Sequence, residues 1–501
     1  MLVLNLINIF RRRIIKMELI QATNIKLYFG NRIILDIPNL KIYQGDKIGI
    51  VGINGCGKST LLNLLYGDLE SDEGNIKKNA YISYHKQFCN NRLIVKPSTT
   101  SQIKKINLFK TDTQSSAPYS GGEKTRLQLA EIFSEKADIY FLDEPTSNLD
   151  YEGILLLQNE LSKIQSFLLV SHERMLLNKC CNKIIEISDS ILTAYTGNYE
   201  FYETQKNAAY NKKLFEYNQY NQEKKRLMSI YHDKLTKANK IAKKPKDPGK
   251  RISKECGSKS FSSKAKSTEK AAQVALKKIN MLEKKEKPTQ VSQIKLDFRL
   301  TTPPRNQYIL QINDLTFGYD SNLLFNHLNL TIKNKEKVAI LGKNGIGKTT
   351  LLDLIYNGHE AIKVVPNANL GYFKQDISQL NDSTSVLENA KYDSIQNEYI
   401  VRTMLARLLF DEQSLSKKVN VLSGGEKIRL ALAKLIVSNA NVLILDEPTN
   451  YLDLPSRTAL ETVLQDYSGT IVFVSHDISF VNAIATKFYI IENKQIIEKS
   501  L

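Results

Sequence analysis

The chain has 501 residues, 42% hydrophobic and 24% charged, the makeup of a globular protein with two or three domains that each bury a core. No run of about 18 uncharged apolar residues occurs, so no membrane-spanning helix is encoded. Its net charge of +18 is concentrated: between 203 and 300 there are 26 Lys and Arg against 10 Asp and Glu, so the flanking stretches are close to neutral.

Residues 1–16 join a short apolar stretch to Arg11-Arg12-Arg13. A secretory signal places its charge before the apolar part, so the match is poor. The segment reads as an extension or a misassigned start ahead of Met17, with an amphipathic membrane-surface helix as the other reading.

Residues 17–202 alternate strands and helices. Lys47-Ile48-Gly49-Ile50-Val51 is a short apolar strand that runs straight into Gly52-Ile53-Asn54-Gly55-Cys56-Gly57-Lys58-Ser59. Such a loop needs glycines because backbone amides must point inward and approach phosphates closely. Gly52, Asn54, Gly55 and Gly57 shape the cradle. Lys58 supplies charge for the β and γ phosphates of ATP, Ser59 places a hydroxyl on Mg²⁺, and Thr60 belongs to the same site. Phe29, upstream, either stacks on adenine or packs in the core. Gln87, in Tyr84-His85-Lys86-Gln87, is placed to sense metal and nucleotide, whereas His85 reads as an ordinary surface histidine. Ser120-Gly121-Gly122-Glu123 opens a helix whose amides and dipole offer an anion site. Buried strands at 139–142 and 167–170 end at Asp143-Glu144-Pro145-Thr146 and at Ser171-His172. Asp143 would hold the metal through water, His172 would contact the γ-phosphate, and Glu144 is the general base, a role worth roughly 10²–10⁴ in rate.

The segment 203–305 is of another kind. Apolar positions fall at Tyr210, Leu214, Tyr217, then Met228, Tyr231, Leu235, Ala238 and Ala242, a heptad seam interrupted at Asn221 and Lys224. A second seam runs through Ala272, Ala275, Ile279 and Leu282. Between them lie Lys243-Lys244-Pro245-Lys246-Asp247-Pro248-Gly249-Lys250 and a Ser/Lys-rich stretch to about Lys264. Proline and glycine end the first helix and Pro288 the second. The pattern predicts two antiparallel helices with a basic loop at the tip, the first projecting roughly 60 Å. A disordered Lys-rich tether is the alternative.

Residues 306–501 repeat the first set of motifs in order. Lys337-Val338-Ala339-Ile340-Leu341 leads into Gly342, Asn344, Gly345, Gly347, Lys348, Thr349 and Thr350; Tyr319 stands where Phe29 does, with the same two readings. Gln375, Ser423-Gly424-Gly425-Glu426, Asp446-Glu447-Pro448-Thr449 and Ser475-His476 follow, and His359 reads as a surface histidine. Ser59, Thr349, Gln87, Gln375, Asp143 and Asp446 form the metal set, and Glu144, Glu447, His172 and His476 the catalytic set. Signature serine and aspartate are 23 residues apart in both copies, 120 to 143 and 423 to 446. Four motifs in fixed order, twice, exclude coincidence and predict an ATPase. Functional residues at carboxyl ends of strands are what an open α/β sheet requires. Each signature helix lies far from its own phosphate loop, a geometry that makes sense if it completes the other half's site. Ser423 and Gly425 would then cap ATP on Lys58, and Ser120 and Gly122 ATP on Lys348. Two ATP molecules would glue the halves of a monomer, and hydrolysis would part them. Cys56, Cys89, Cys180, Cys181 and Cys256 lack CxxC pairing and zinc spacing and read as free thiols of a reducing cytoplasm.

The motif set resembles the ATP-binding-cassette superfamily. Two fused cassettes with a charged helical linker and no membrane part are similar to its ABC-F group, a likeness that covers the chain from Met17 onward. The resemblance implies an α/β fold with two tandem P-loop ATPase domains joined by a helical hairpin. It also implies a 70S ribosome partner: ATP-bound forms at the exit-tRNA site beside P-site tRNA, with the linker reaching toward the peptidyl-transferase centre of 23S rRNA. From Gln87 to Ser120 there are 33 residues, against 48 from Gln375 to Ser423, leaving no room for the arm that housekeeping members insert in the first cassette. The chain also ends soon after the second cassette, without the coiled-coil tail of the Uup type. Gly197-Asn198-Tyr199 leading into the linker, and Lys243-Lys244-Pro245-Lys246, look like the antibiotic-resistance members of the Vga/Lsa/Msr type. That implies protection of ribosomes from lincosamides, pleuromutilins and streptogramin A. Tyr119 departs from the leucine usual before the signature serine, and the linker tip is the least similar part. A cationic hairpin suits passage between rRNA phosphates, although a charge run is more often a solvated face. A housekeeping factor for stalled ribosomes, a transporter's ATPase subunit and a DNA-repair ATPase are the competing readings.

Overall fold

The computed structural model describes residues 17–86, 121–242, 254–286, 304–319, 322–374 and 379–499. They fall into two compact units, one holding both nucleotide-binding halves and the other lying between 203 and 290.

The first half contains β1 (Glu18–Phe29), β2 (Arg32–Tyr43), β3 (Lys47–Val51), α1 (Lys58–Tyr66), β4 (Glu73–Lys78), β5 (Ile82–His85), α2 (Gly121–Ser134), β6 (Ile139–Asp143), α3 (Tyr151–Lys163), β7 (Phe167–Val170), α4 (Arg174–Cys180), β8 (Lys183–Ser188) and β9 (Ile191–Thr196). These strands make one nine-stranded sheet in the order β4-β1-β2-β9-β8-β3-β7-β6-β5. The run β8-β3-β7-β6-β5 is parallel. β6 and β7 are buried at every position and apolar throughout except at Asp143, which closes β6, as strands covered on both faces must be. Because β3, β7 and β6 are neighbours pointing the same way, Gly52, His172 and Glu144 emerge at one edge of the sheet. β1 and β2, which pair antiparallel, alternate buried and exposed residues instead.

The second unit is helical. α5 (Tyr199–Ala242) has 44 residues, about 66 Å at 1.5 Å per residue, and α6 (Lys254–Met281) has 28. Glu223 lies near enough to Lys278 to feel its charge, and Lys285 feels that of Glu216, so the two chains run in opposite directions. Leu227, Ala238, Ala272 and Ala275 are buried along the hairpin. The seam therefore passes through Leu227, not the predicted Met228, which is 38% exposed. α6 also starts earlier than predicted: the Ser/Lys-rich stretch from Lys254 is helical, since serine costs a helix only modestly and lysine favours it. The tether reading does not hold for α5 and α6. The predicted tip, 243–253, and Pro288 lie outside the described residues, as do residues 1–16.

The second half repeats the plan with β10 (Tyr308–Tyr319), β11 (Asn322–Lys333), β12 (Lys337–Leu341), α7 (Lys348–Asn357), β13 (Ile362–Val364), β14 (Leu370–Phe373), α8 (Val386–Tyr392), α9 (Glu398–Arg407), α10 (Gly424–Val437), β15 (Val442–Asp446), α11 (Leu454–Asp466), β16 (Thr470–Val474), α12 (Ile478–Ile484), β17 (Lys487–Glu492) and β18 (Gln495–Lys499). Here the sheets are β14-β15-β16-β12-β17-β18 and β11-β10-β13. His85 is not on the surface: it closes β5 with 4% exposure, and burial drives its imidazole down to about 4, so it is neutral. His359 is half-buried and accepts the Ala361 amide through Nδ1. Among the described residues no helix is long and apolar enough to cross a membrane.

Phe473 of β16 is fully buried and meets Phe480 edge-on at 5.8 Å. Phe473→Ala is expected to destabilise the second half by about 3–5 kcal/mol, read as a lower denaturant midpoint for its unfolding transition.

Candidate functional site

Each phosphate loop turns through glycines in the left-handed region, with Gly55 at φ 77° and Gly57 at 103°, and Gly345 and Gly347 at the same values. A Cβ on Gly347 would stand 2.9 Å from the Phe325 ring, so only glycine fits that N-cap. A glycine N-cap offers no side-chain oxygen, which leaves the first-turn amides of α1 and α7 for phosphate oxygens. Lys58 Nζ donates to the carbonyls of Gly52 (3.0 Å) and Ile53 (3.1 Å), and Lys348 Nζ to those of Gly342 (2.8 Å) and Lys343 (3.0 Å). Both ammonium groups are thereby held across their own loops. Burial lowers the pKa of Lys348.

Next to the loops lie the two aspartates. Thr349 Oγ1 donates to Asp446 Oδ2 at 2.8 Å, and Ser59 lies near enough to Asp143 to favour its charged form. Burial raises both carboxyls, and Asp143 Oδ1 is buried without a hydrogen-bond partner. A buried carboxylate with an unused oxygen beside a hydroxyl fits a divalent cation that keeps water and phosphate as its other ligands. Among the described residues no group of three or more His, Cys, Asp or Glu could hold a metal alone.

Glu144 and Glu447 follow the aspartates at φ 48° in both halves, a left-handed conformation rare for glutamate. The Nε2 atoms of His172 and His476 stand 3.2 Å from Oε1 of Glu144 and Glu447. Burial pushes Glu144 up to about 8 and Glu447 up to about 7, and drives both imidazoles down, His476 to about 4. At pH 7 Glu144 is therefore mostly protonated and Glu447 about half so, and with both imidazoles neutral neither contact is an ion pair. Lys348 and the His476 amide, which Glu447 accepts at 3.2 Å, oppose the rise at Glu447. In the second half Tyr319, Asn344, Lys348, Thr349, Thr350, Asp446, Glu447 and His476 line one cavity of about 430 Å³. Phe29 and Tyr319 are 56% and 59% exposed, which excludes the core reading for both.

The halves meet crosswise. Asn54 donates its backbone N–H to Asp453 Oδ2 (2.9 Å) and its Nδ2 to the Tyr451 carbonyl (3.0 Å), while Asn344 Nδ2 donates to the Asn148 carbonyl (3.2 Å). Gly425 has so little room that a Cβ would stand 3.1 Å from the Tyr451 carbonyl and 3.6 Å from Asn54 Nδ2. Gly122 is placed likewise against Asn148 (2.7 Å) and Asn344 (3.5 Å). Each signature helix thus stands at the other half's phosphate loop. Ser423 and Glu426 bond each other in a capping box, so the Glu426 carboxylate is engaged by its own helix and not aimed at a ligand. Gly424 faces open space. Gly121 and Glu123 open α2, Glu123 half-buried; Gln87, Ser120 and Gln375 lie outside the described residues.

Sequence reasoning missed Asn148, Asp150, Tyr451 and Asp453. The signal was present: Leu149-Asp150 and Leu452-Asp453 end four residues after Thr146 and Thr449. Both aspartates cap the next helix, taking the Gly153 and Ser456 amides, and Asn148 and Tyr451 sit at φ 65° and 62°, which turns their carbonyls toward the opposite half.

A family model described as ABC transporter matches residues 35–147 and 325–450. The ribosome protection protein VmlR of Bacillus subtilis is 32% identical over 97% of this chain and 88% of its own length. The erythromycin resistance ATP-binding protein MsrA of Staphylococcus epidermidis is 32% identical over 90% and 93%. The chain belongs to the ABC-F subfamily of ATP-binding-cassette proteins. It is an ATPase with two ATP-binding cassettes. A solved RNase-L Inhibitor shares the fold of this ABC-F chain at a TM-score of 0.63 and 18% identity, over 95% of this chain and 90% of that one.

With Glu144 and Glu447 as bases, each must lose its proton to act, so kcat/KM rises with pH through the free-enzyme values. The Glu447→Gln enzyme is expected to show a limb near 8, and the Glu144→Gln enzyme one near 7, in steady-state ATPase profiles.

Proposed function

We propose that this ABC-F ATPase acts on the 70S ribosome and protects its peptidyl-transferase centre from lincosamide, pleuromutilin and streptogramin A antibiotics. The observation that carries the reading is the likeness over nine-tenths of the chain to relatives named for ribosome protection and for erythromycin resistance, 32% identical each. The linker supports it: α5 and α6 form an antiparallel hairpin within a segment that carries a surplus of positive charge. Lysines that displace counterions from rRNA phosphates give affinity without base readout. In this reading the hairpin binds 23S rRNA near P-site tRNA, from the exit-tRNA side, in the cytoplasm, with the protein a monomer whose own cassettes pair.

In each site the glycine-rich loop amides and Lys58 or Lys348 would take the phosphates. Ser59 with Asp143, and Thr349 with Asp446, would hold Mg²⁺, and Gln87 and Gln375 would complete the metal set. The cation, when bound, neutralises phosphate charge. Glu144 and Glu447 take a proton from the attacking water, and His172 and His476 steady the carboxyls they touch. The opposite cassette's Gly122 and Gly425, with Ser120 and Ser423, close over the nucleotide, and Phe29 and Tyr319 flank the base. Closure therefore needs ATP, and turnover releases it.

The double variant Glu144→Gln/Glu447→Gln is expected to lose about 10²-fold or more of its ATPase rate and to co-sediment with 70S ribosomes in ATP, blocking translation. Raising salt from about 50 to 200 mM should weaken that association at least tenfold. Absence of ribosome binding by the double variant overturns the reading. Exchange of residues 245–262 should change which drugs are resisted while ATP turnover persists, scored on a panel of the three classes and a macrolide. Ribosome binding with no change in any drug's inhibitory concentration would instead favour a housekeeping role in translation.

A further inference from the structure

The two ATP sites carry the same catalytic residue types, yet the contacts that hold their histidines differ. Each histidine follows a serine whose Oγ accepts the amide two residues on: Ser171 from Glu173 and Ser475 from Asp477, both at 3.1 Å. The next residue is where the halves diverge. Asp477 caps α12, its Oδ1 accepting the Phe480 amide at 3.0 Å, so the His476 loop is fastened within its own cassette. Glu173, in the same place before α4, makes no capping bond. Its carboxylate reaches the other cassette, accepting from Arg457 Nη1 at 3.0 Å, and the same nitrogen donates to the His172 carbonyl at 3.1 Å and to Asp477 Oδ2 at 2.8 Å.

Arg457 has no equivalent on the opposite side. Counting from the capping aspartates Asp453 and Asp150, its counterpart is Ile154, a core residue 2% exposed. The surroundings are one-sided in the same sense. Arg174, next to Glu173, donates to both oxygens of Glu461 at 2.9 and 3.0 Å, and Leu454 joins the apolar cluster of the first cassette. Across the pseudo-symmetric interface Ile478 replaces Arg174, and Tyr151, the counterpart of Leu454, is 39% exposed. The ion pair found there, Lys343 with Glu152, is 63% and 59% exposed and worth little.

We infer that Arg457 is a positioning residue that holds the His172 loop from the opposite cassette, so that hydrolysis at the Lys58–Glu144 site depends on cassette closure through it while the Lys348–Glu447 site does not. The inference rests on the ATPase chemistry alone and is independent of any ribosome partner. Arg457 touches no atom placed to react. It fixes the backbone of His172, whose ring stands against Glu144, and a loop free to shift by an ångström degrades a base's alignment without weakening nucleotide binding.

The test uses full-length protein in two single-site backgrounds. In Glu447→Gln, where Glu144 alone turns over, Arg457→Lys is expected to lower kcat about tenfold with KM for ATP within about twofold. In Glu144→Gln the same change, which also takes Arg457 from Asp477, is expected to leave kcat within about twofold because the Phe480 cap still holds the His476 loop. Glu173→Gln, which keeps the size of the partner, should reproduce the one-sided loss and carries the test alone if Arg457→Lys does not fold by thermal unfolding. A second readout needs no turnover: in the ATP-bound Glu144→Gln/Glu447→Gln background, adding Arg457→Lys should quicken amide hydrogen exchange over 171–177 far more than over 475–480. Equal loss in both backgrounds, loss in neither, an effect confined to KM, or equal exchange at both loops overturns the proposal.

Discussion

The asparagine of each phosphate loop, reaching across to a carbonyl of the opposite cassette, is the contact on which the paired sites depend. Asn54 meets Tyr451 and Asp453, and Asn344 meets Asn148. Neither loop has a complete set of neighbours in its own half, because the signature helix that follows it in sequence projects elsewhere. Two local devices make the reach possible. The left-handed backbone at Asn148 and Tyr451 turns a carbonyl outward, and Asp150 and Asp453 anchor the following helix so that the turn cannot relax. The glycines of the signature helices then matter for what they lack, since a side chain at Gly122 would collide with that carbonyl and one at Gly425 would crowd it.

A second constraint is electrostatic. Each site gathers a lysine, an aspartate, a glutamate and a histidine in a setting where burial penalises charge. The proteins of this arrangement settle the cost by protonation: Glu144 and Glu447 hold protons near neutrality and both histidines stay neutral. Such carboxyls are poised, because their proton affinity lies close to the pH at which they must work. The lysines meanwhile rest on loop carbonyls, an arrangement that keeps a buried ammonium solvated by backbone dipoles.

Much of this was legible in the chain itself. Short uninterrupted apolar runs such as 47–51 and 442–445 read as strands because a parallel strand buried on both faces has no polar alternation to confuse it. The motifs at their ends then located both sites. The long antiparallel ribbons of β1–β2 and β10–β11 were not read as strands, since their alternation is diluted by polar and charged residues on an open face. In the linker, tyrosines and lysines with half-apolar stems blur the seam, which is why it was read one residue off, at Met228 in place of Leu227. His85 was misjudged because a histidine beside a lysine looks solvated, whereas the alternation of β5 turns it inward. Arg457 carried no local signal at all. Its meaning comes from two carboxylates, 284 and 20 residues away, that only the fold brings to it.

The fusion of both cassettes into one polypeptide has a consequence for how often they come back together. Their meeting face is mostly polar, combining side-chain-to-carbonyl bonds with the Arg174–Glu461 and Arg457–Glu173 pairs, and Leu454 is an apolar contact from the second half. Separate subunits with such a face would drift apart at cellular dilution. Joined, each half experiences the other at a local concentration of about millimolar, set by tether geometry and not by expression level. A polar seam can then open fully at every cycle and still find its register again without a search.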